Sequence, residues 1–385
     1  MTYSFPYILL IVFLGICALL SYSDKTEENT KKNIAYICIA VIIFFYGFRG
    51  FIHDDWINYY PAFQKCSWDN ININLFKIQR GWNFEPGFTF LMCLCKSIID
   101  NYIFFVFICI CINTSLLVYF FRNRTKYLPL ALALYLVFGG HIMNANLMRN
   151  SISLLIFVNA LGYLEARKAT PYFFMCLLAL SFHISSIIFF PLYFFFHKKC
   201  NKWLYIILFV LGNLIFLFHI PVFMSIISLI IGSTGERLRY MIEAYSEGKM
   251  SELTTTISIG YLERLITGTL ILCYYNKLVA IREENKIFIK SFIAYFIMFF
   301  YLSEFQVISQ RMSTLFIFAY WILWYDLPKC FSIGNNRRLF IAFLSIYCIL
   351  KIIGTTNFPT AEYDNILFGT KSYEERLFIH QKYEN

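Results

Sequence analysis

Charge is scarce in this sequence. Asp, Glu, Lys and Arg make up 15% of 385 residues, against about 25% in an ordinary soluble domain. Histidine is scarcer: six residues are dispersed at positions 53, 141, 183, 197, 219 and 380, which argues against a His-rich active site. No phosphate-binding loop, Gly-rich dinucleotide fingerprint or repeat of fixed period is present. The twelve cysteines are scattered, mostly inside apolar runs. Cys93/Cys95 and Cys109/Cys111 are each two residues apart, which on a helix turns the pair to opposite sides. No matching His/Cys set accompanies them, so neither a metal site nor a disulfide framework is expected. The first apolar run, Phe5–Leu20, lacks a basic leader and a small-residue cleavage site, and reads as a retained helix.

Apolar length takes the place of charge. Hydrophobic residues reach 59% and mean hydropathy is +0.61. Spanning-length runs recur at Ile34–Phe48, Tyr102–Phe121, Leu204–Phe218, Phe292–Leu302, Leu315–Trp324 and Leu339–Ile353. The class is an all-α polytopic membrane protein with about 10–12 transmembrane helices, some short or broken. The net charge of +10 sits in short basic clusters between apolar runs, the positive-inside pattern, and calls for no nucleic acid.

Placing those clusters (Lys25/Lys31/Lys32, Arg122/Arg124/Lys126, Arg167/Lys168, Lys198/Lys199/Lys202, Lys277 to Lys290, and Lys329/Arg337/Arg338) in the cytoplasm forces an even number of crossings between them. Pro86–Ile99 is too short to span and becomes an interfacial helix within a large external loop, 49–100. Tyr127–Glu165 and Pro171–His197 become helical hairpins. Their polar breaks lie at Gly139–Arg149 and Ser181–Ser186, and the alternative for the second is one long tilted helix. A second external loop covers 232–258. The membrane domain is then 1–355, and 356–385 is an extracytoplasmic tail. Most polar machinery faces away from nucleotide-linked sugars, so chemistry there needs lipid-linked or pre-activated substrates.

Charged residues at membrane depth or at the outer rim are functional candidates. Arg49, His53, Asp54 and Asp55 end the second span, and Tyr59 and Tyr60 follow. Glu85 precedes Pro86, Arg149 opens a span, His183 tips a hairpin, and Arg264, Glu304, Gln310 and Arg311 lie further on. Arginines suit phosphate; Asp, Glu or His suits proton removal from a sugar hydroxyl. Trp56 and Trp82 are suited to stack on sugar rings. Each also has a structural reading: Arg49 snorkelling, Asp54 or Asp55 folding the loop, Glu85 as a helix N-terminal anion, His183 satisfied at a helix break, and Arg264 at an interface beside Glu263.

Arg49, then Asp55-Trp56-x-x-Tyr59-Tyr60-x-x-Phe63, Glu85-Pro86-Gly87-Phe88, Met148-Arg149-Asn150-Ser151-Ile152 and Phe182-His183-x-Ser185, in that order, resemble the EpsG-like family of exopolysaccharide, capsule and O-antigen loci. The likeness runs from about Tyr46 to Phe196 and more loosely through Arg311. It implies a Wzy-type, GT-C-like polymerase in the bacterial cytoplasmic membrane with its active site facing outward. The growing glycan would pass from undecaprenyl pyrophosphate to the next lipid-linked repeat unit, without metal, nucleotide or other cofactor. Donor and acceptor lipids, membrane lipid, a flippase and a chain-length regulator are the partners implied. The matching positions are Arg49, Arg149 and Arg311 for pyrophosphate and Asp55, Glu85 and His183 for catalysis, with Asp54, His53, Tyr59 and Arg264 as secondary candidates. His53-Asp54 stands where a Gly-Thr-like pair is more usual, which leaves either aspartate in the family's role. Competing readings are a flippase of lipid-linked oligosaccharide, a polysaccharide acyltransferase and a non-catalytic scaffold.

Overall fold

In hydrocarbon every backbone N–H and C=O has to be bonded within the protein, and helices do this segment by segment. The computed structural model describes residues 3–71, 84–198, 201–222 and 258–384; their regular structure is helical, with short 3-10 turns, one π turn and two isolated bridges, and irregular loops join the helices. The chain forms two units, Met1–Tyr193 with Arg338–Asn385, and Phe194–Arg337. Most of the expected external loop 232–258 and Trp82 lie outside the described residues.

The first unit opens with α1 (Phe5–Tyr22) and α2 (Glu28–Gly47), followed by the short α3 (Trp56–Gln64) and α4 (Pro86–Ile98). Then come α5 (Tyr102–Arg122), α6 (Leu128–Tyr135), α7 (His141–Ala145), α8 (Met148–Glu165), α9 (Ala169–Phe182) and α10 (Phe189–His197). In the second unit lie α11 (Lys202–Leu217), α12 (Ile259–Cys273), α13 (Tyr275–Ile281), α14 (Asn285–Phe300), α15 (Gln306–Thr314) and α16 (Phe318–Asp326). The chain then runs through α17 (Gly334–Thr356) to α18 (Tyr373–Glu384). Among the described residues five segments are long and apolar enough to cross a membrane: α1, α2, α5, Leu128–Ala145 and α17. The helix Pro86–Ile98 has 13 residues, about 20 Å and short of the hydrocarbon core.

α8 is the central helix of the first unit. Thirteen of its side chains are buried, including Asn150, Ser151 and Ser153. Its polar residues bond neighbouring backbone: Ser153 Oγ donates to the Ala179 carbonyl of α9 at 2.8 Å, and Asn159 Nδ2 to the Leu116 carbonyl of α5 at 3.0 Å. Polar side chains bonded across helices are a normal way of packing within a membrane. α9 and α10 form the expected hairpin. Tyr172 Oη donates to the Phe189 carbonyl at 2.6 Å and Tyr193 Oη to the Arg167 carbonyl at 3.0 Å, a pairing that one long helix cannot make.

One expectation is sharpened and one is corrected. The expected polar break, Gly139–Arg149, holds both a kink at Gly139 and the turn of the hairpin at Asn146–Leu147. Gly139 takes φ +96°, a left-handed conformation that glycine tolerates, and the helix resumes at His141 and reverses only at Asn146–Leu147. And Cys66 and Cys93 form a disulfide, with Cα atoms 5.9 Å apart. The paired cysteines lie on different elements of the 49–100 loop, so spacing along one helix carried no trace of them.

The C-terminal residues fold back on the end of α2. Tyr7 Oη donates to the Ala361 carbonyl at 2.7 Å, His53 N to Thr360 O at 2.8 Å, and Ile366 N to Phe48 O at 2.9 Å. Tyr363 stacks on Phe45 with ring centres 4.2 Å apart, and Tyr373 on Tyr60 at 4.7 Å. Arg376, 2% exposed, donates to Asp364 at 2.7 Å. The 357–384 segment and the loop after α2 therefore share one face of the bilayer. In intact cells, an impermeant maleimide is expected to label cysteines placed at Asp69 and Glu374, but one at Asn123 only after the membrane is opened. Labelling of Asp69 and Asn123 positions from the same side would mean that α5 does not span.

Candidate functional site

Four of the motif residues meet in one connected group. The Glu85-Pro86-Gly87-Phe88 motif starts α4 and each residue has a separate task. Pro86 suits the first helical turn, where its missing N–H is not needed. Gly87 allows α4 to lie against the end of α9: an added Cβ would come within 2.5 Å of Ser181 Oγ and 2.9 Å of its carbonyl oxygen. Phe88 is fully buried. Glu85 itself does not cap its own helix. Its Oε2 accepts from Arg149 Nη1 at 2.5 Å and its Oε1 from the backbone N–H of Ile184 at 3.1 Å. One carboxylate thereby joins α4, the start of α8 and the hairpin tip after α9.

Arg149 is held on several sides. Its Nε donates to Tyr59 Oη at 3.4 Å, and Tyr59 Oη donates to Asp55 Oδ2 at 3.2 Å. The guanidinium lies over the Phe84 ring, 4.3 Å from its centre, a placement that favours a cation. The side chains of Arg149 and Glu85 keep 23% and 11% exposure, so the pair is largely but not wholly dry. Asn146, in the turn before α8, accepts from the backbone N–H of Asp55 at 2.7 Å and of Asp54 at 3.2 Å. The turn 146–149 thus fixes Asp55 by backbone and side chain together. Burial raises the Tyr59 phenol well above its ordinary range, with the Asp55 carboxylate adding to the effect, so Tyr59 remains a hydrogen-bond donor.

His183 ends α9 beside this group. Its Nδ1 accepts from the Ser185 backbone N–H at 3.2 Å and sits 2.6 Å from Ser185 Oγ. A backbone N–H can only donate, so Nδ1 is the acceptor and the neutral ring carries its proton on Nε2. In this arrangement His183 is a hydrogen-bond donor.

The remaining candidates stand elsewhere. Arg49 is 1% exposed beneath the folded-back C-terminal segment, and its Nη1 donates to the Gly50 carbonyl at 3.1 Å. An added Cβ at Gly50 would come within 2.0 Å of Asp364 Oδ1, which shows how closely that segment covers the loop. His53 is buried, with Nε2 3.0 Å from His141 Nε2, whose Nδ1 lies 3.0 Å from Tyr46 Oη. Burial, with Arg49 nearby, lowers the His53 pKa to about 3, so its ring is neutral at physiological pH. Its φ of +62° is the left-handed conformation that glycine adopts freely. Asp54, with a side chain 52% exposed, pairs with His380 at 3.3 Å. Trp56 is buried and donates to the His53 carbonyl at 2.8 Å, so it offers no open stacking face. In the second unit, Arg264 donates to the Gly260 carbonyl at 2.6 Å with its guanidinium 3.6 Å from the centre of the Phe299 ring, and Arg311 is exposed on α15.

Sequence reading missed Phe84, Tyr46 and the tie from Glu85 to the Ile184 backbone. Asn146 and His141 stood in the polar break but had no task until the fold placed them. Among the described residues no three His, Cys, Asp or Glu side chains converge as a metal site would require.

Comparison with known proteins gives one family: the EpsG family model matches residues 32–368, nearly the whole chain. No curated protein and no solved structure matches it.

The close approach at Gly87 is directly testable. Gly87→Ala has to push α4 from α9, and is expected to lower stability by about 1–3 kcal/mol. Gly162→Ala, where a Cβ meets nothing within 4 Å, serves as the tolerated control. Thermal unfolding of the purified variants reads the difference; equal midpoints would contradict the packing described.

Proposed function

The chain belongs to the EpsG family of polysaccharide-biosynthesis membrane proteins, and from that premise we propose that it is a glycan polymerase. In this reading the growing polysaccharide leaves undecaprenyl pyrophosphate for a hydroxyl of the next lipid-linked repeat unit, at the outer face of a bacterial cytoplasmic membrane. The observation that carries it is the group Asp55–Tyr59–Arg149–Glu85. It places a clamped arginine and a second carboxylate side by side at a helix end, where a lipid-linked substrate can arrive from the bilayer.

The reaction divides among these residues. The acceptor oxygen attacks the anomeric carbon as the bond from that carbon to the pyrophosphate oxygen breaks. Arg149 stabilises the charge that gathers on the departing pyrophosphate, since a guanidinium presents paired donors and stays charged. Glu85 positions Arg149. Asp55, oriented by Tyr59 and Asn146, takes the acceptor proton. His183 donates from Nε2 to a phosphate or sugar oxygen. Arg49 acts as a positioning residue under the loop that carries Asp55. The glycine-like backbone of His53 supports Asp55 as the family aspartate, because a Gly-Thr-like pair would then stand in register at 53 and 54. The Cys66–Cys93 disulfide supports an outward-facing loop, because such bonds persist in oxidising compartments.

Deletion of the gene is expected to abolish polymer and leave a single capped repeat on the outer leaflet. Accumulation on the inner leaflet would favour a flippase instead. Arg149→Ala is expected to abolish polymer with the protein still in the membrane, and Arg149→Lys to restore little, since lysine lacks the planar fork. Asp55→Asn should remove turnover while donor lipid still binds. Full-length polymer from Arg149→Ala would refute the pyrophosphate role.

A further inference from the structure

The end of the first unit opposite Arg149 has a cavity that the polymerase reading does not use. It measures about 270 Å³ and lies among the ends of α1 and α5 and the starts of α2 and α6. Four cations line it, Lys31, Lys32, Arg122 and Lys126, and Glu28 is the one carboxylate among its lining residues. Lys31 bonds Glu28 at 2.9 Å, and the excess of positive charge remains. The basic cluster of the second unit is different: there the buried Asp326 accepts from Arg282, Asn285 and Lys329. Behind the cationic rim the wall is apolar, formed by Tyr36, Ile39 and Val118. Tyr36 is 59% exposed on the flank of α2.

We propose that this cavity binds the phosphate headgroup of an anionic membrane lipid, with the acyl chains against the apolar flank of α2 and α5. A soluble anion would need the cations but not the apolar wall. The position agrees. α2 has 20 residues, about 30 Å, so the cavity lies one hydrocarbon thickness from the loop that carries Asp55. Basic pockets between helix ends on the cytoplasmic side suit lipid headgroups, with each cation adding to the attraction. The site is built from four separate helix ends, so an occupied headgroup would also tie those ends together.

The test uses the purified full-length protein and native mass spectrometry with added phosphatidylglycerol or phosphatidylcholine. Phosphatidylglycerol is expected to be retained and phosphatidylcholine not. The Lys32→Gln/Arg122→Gln double variant should weaken retention roughly tenfold or more, while Lys198→Gln/Lys202→Gln, at a different basic cluster, should match the wild type. If the double variant does not elute as a folded species, Lys32→Gln alone is expected to weaken binding several-fold. Millimolar inorganic phosphate should leave the bound lipid in place. Equal retention of both lipids, unchanged binding by the variants, or displacement by inorganic phosphate would each overturn the proposal. This result is independent of polymer formation, so its failure and that of the polymerase reading can be told apart.

Discussion

The ion pair between Arg149 and Glu85 is the interaction on which the candidate site depends. Each partner starts a helix, and neither helix alone would place its charge productively. Glu85 bridges Arg149 and the Ile184 backbone, so it holds three segments in register: α4, the start of α8 and the hairpin tip beside His183. Removing one member of a largely buried pair leaves the other charge stranded, typically at about 3–5 kcal/mol. That penalty explains why the pair is flanked by a further acceptor, the Tyr59 hydroxyl, and by the Phe84 ring, instead of standing alone. A phosphate entering beside Glu85 would find an arginine already ordered, which lessens the ordering needed at binding.

The class and much of the helix plan were legible from residues because hydropathy is a local signal. Spans such as Tyr102–Arg122 announce themselves by length, and the Ser181–Ser186 break correctly marked the α9–α10 turn. The four motifs were legible as a set, and the fold brings Asp55, Tyr59, Glu85 and Arg149 into contact, with His183 alongside. What could not be read was long-range. Residues near position 50 meet residues near 364, more than 300 positions away, and no periodicity records that. Arg49 therefore resembled an exposed rim arginine and is a buried one. The Cys66–Cys93 bond escaped for the same reason. At Gly139 the sequence showed a break without saying whether it kinks or reverses the chain; only the positive φ of that glycine decides.

The two ends of the first unit suit different work. At one end, uncommitted flexibility is low: the C-terminal segment, the disulfide and the Asn146 turn all fix the loop bearing Asp55. At the other end a cationic cavity opens along the helix flanks. Sites positioned on rigid elements keep reacting groups within narrow tolerances, and the folded-back 357–384 segment is part of that rigidity. The arrangement explains how a chain with so little charge still has charged chemistry available: its few charges are gathered at helix ends, where neighbouring helices pay their desolvation.

The central claim is that Arg149, aligned by Glu85, makes this chain a polymerase acting on a lipid pyrophosphate. The most direct measurement is polymer formation by the purified protein in proteoliposomes supplied only with lipid-pyrophosphate-linked repeat units. The account predicts a ladder of products, with one lipid pyrophosphate released for each glycosidic bond formed, and no ladder from the Glu85→Gln/Arg149→Gln protein. A ladder of equal yield from that variant, or repeat units that cross the bilayer without being joined, would contradict it.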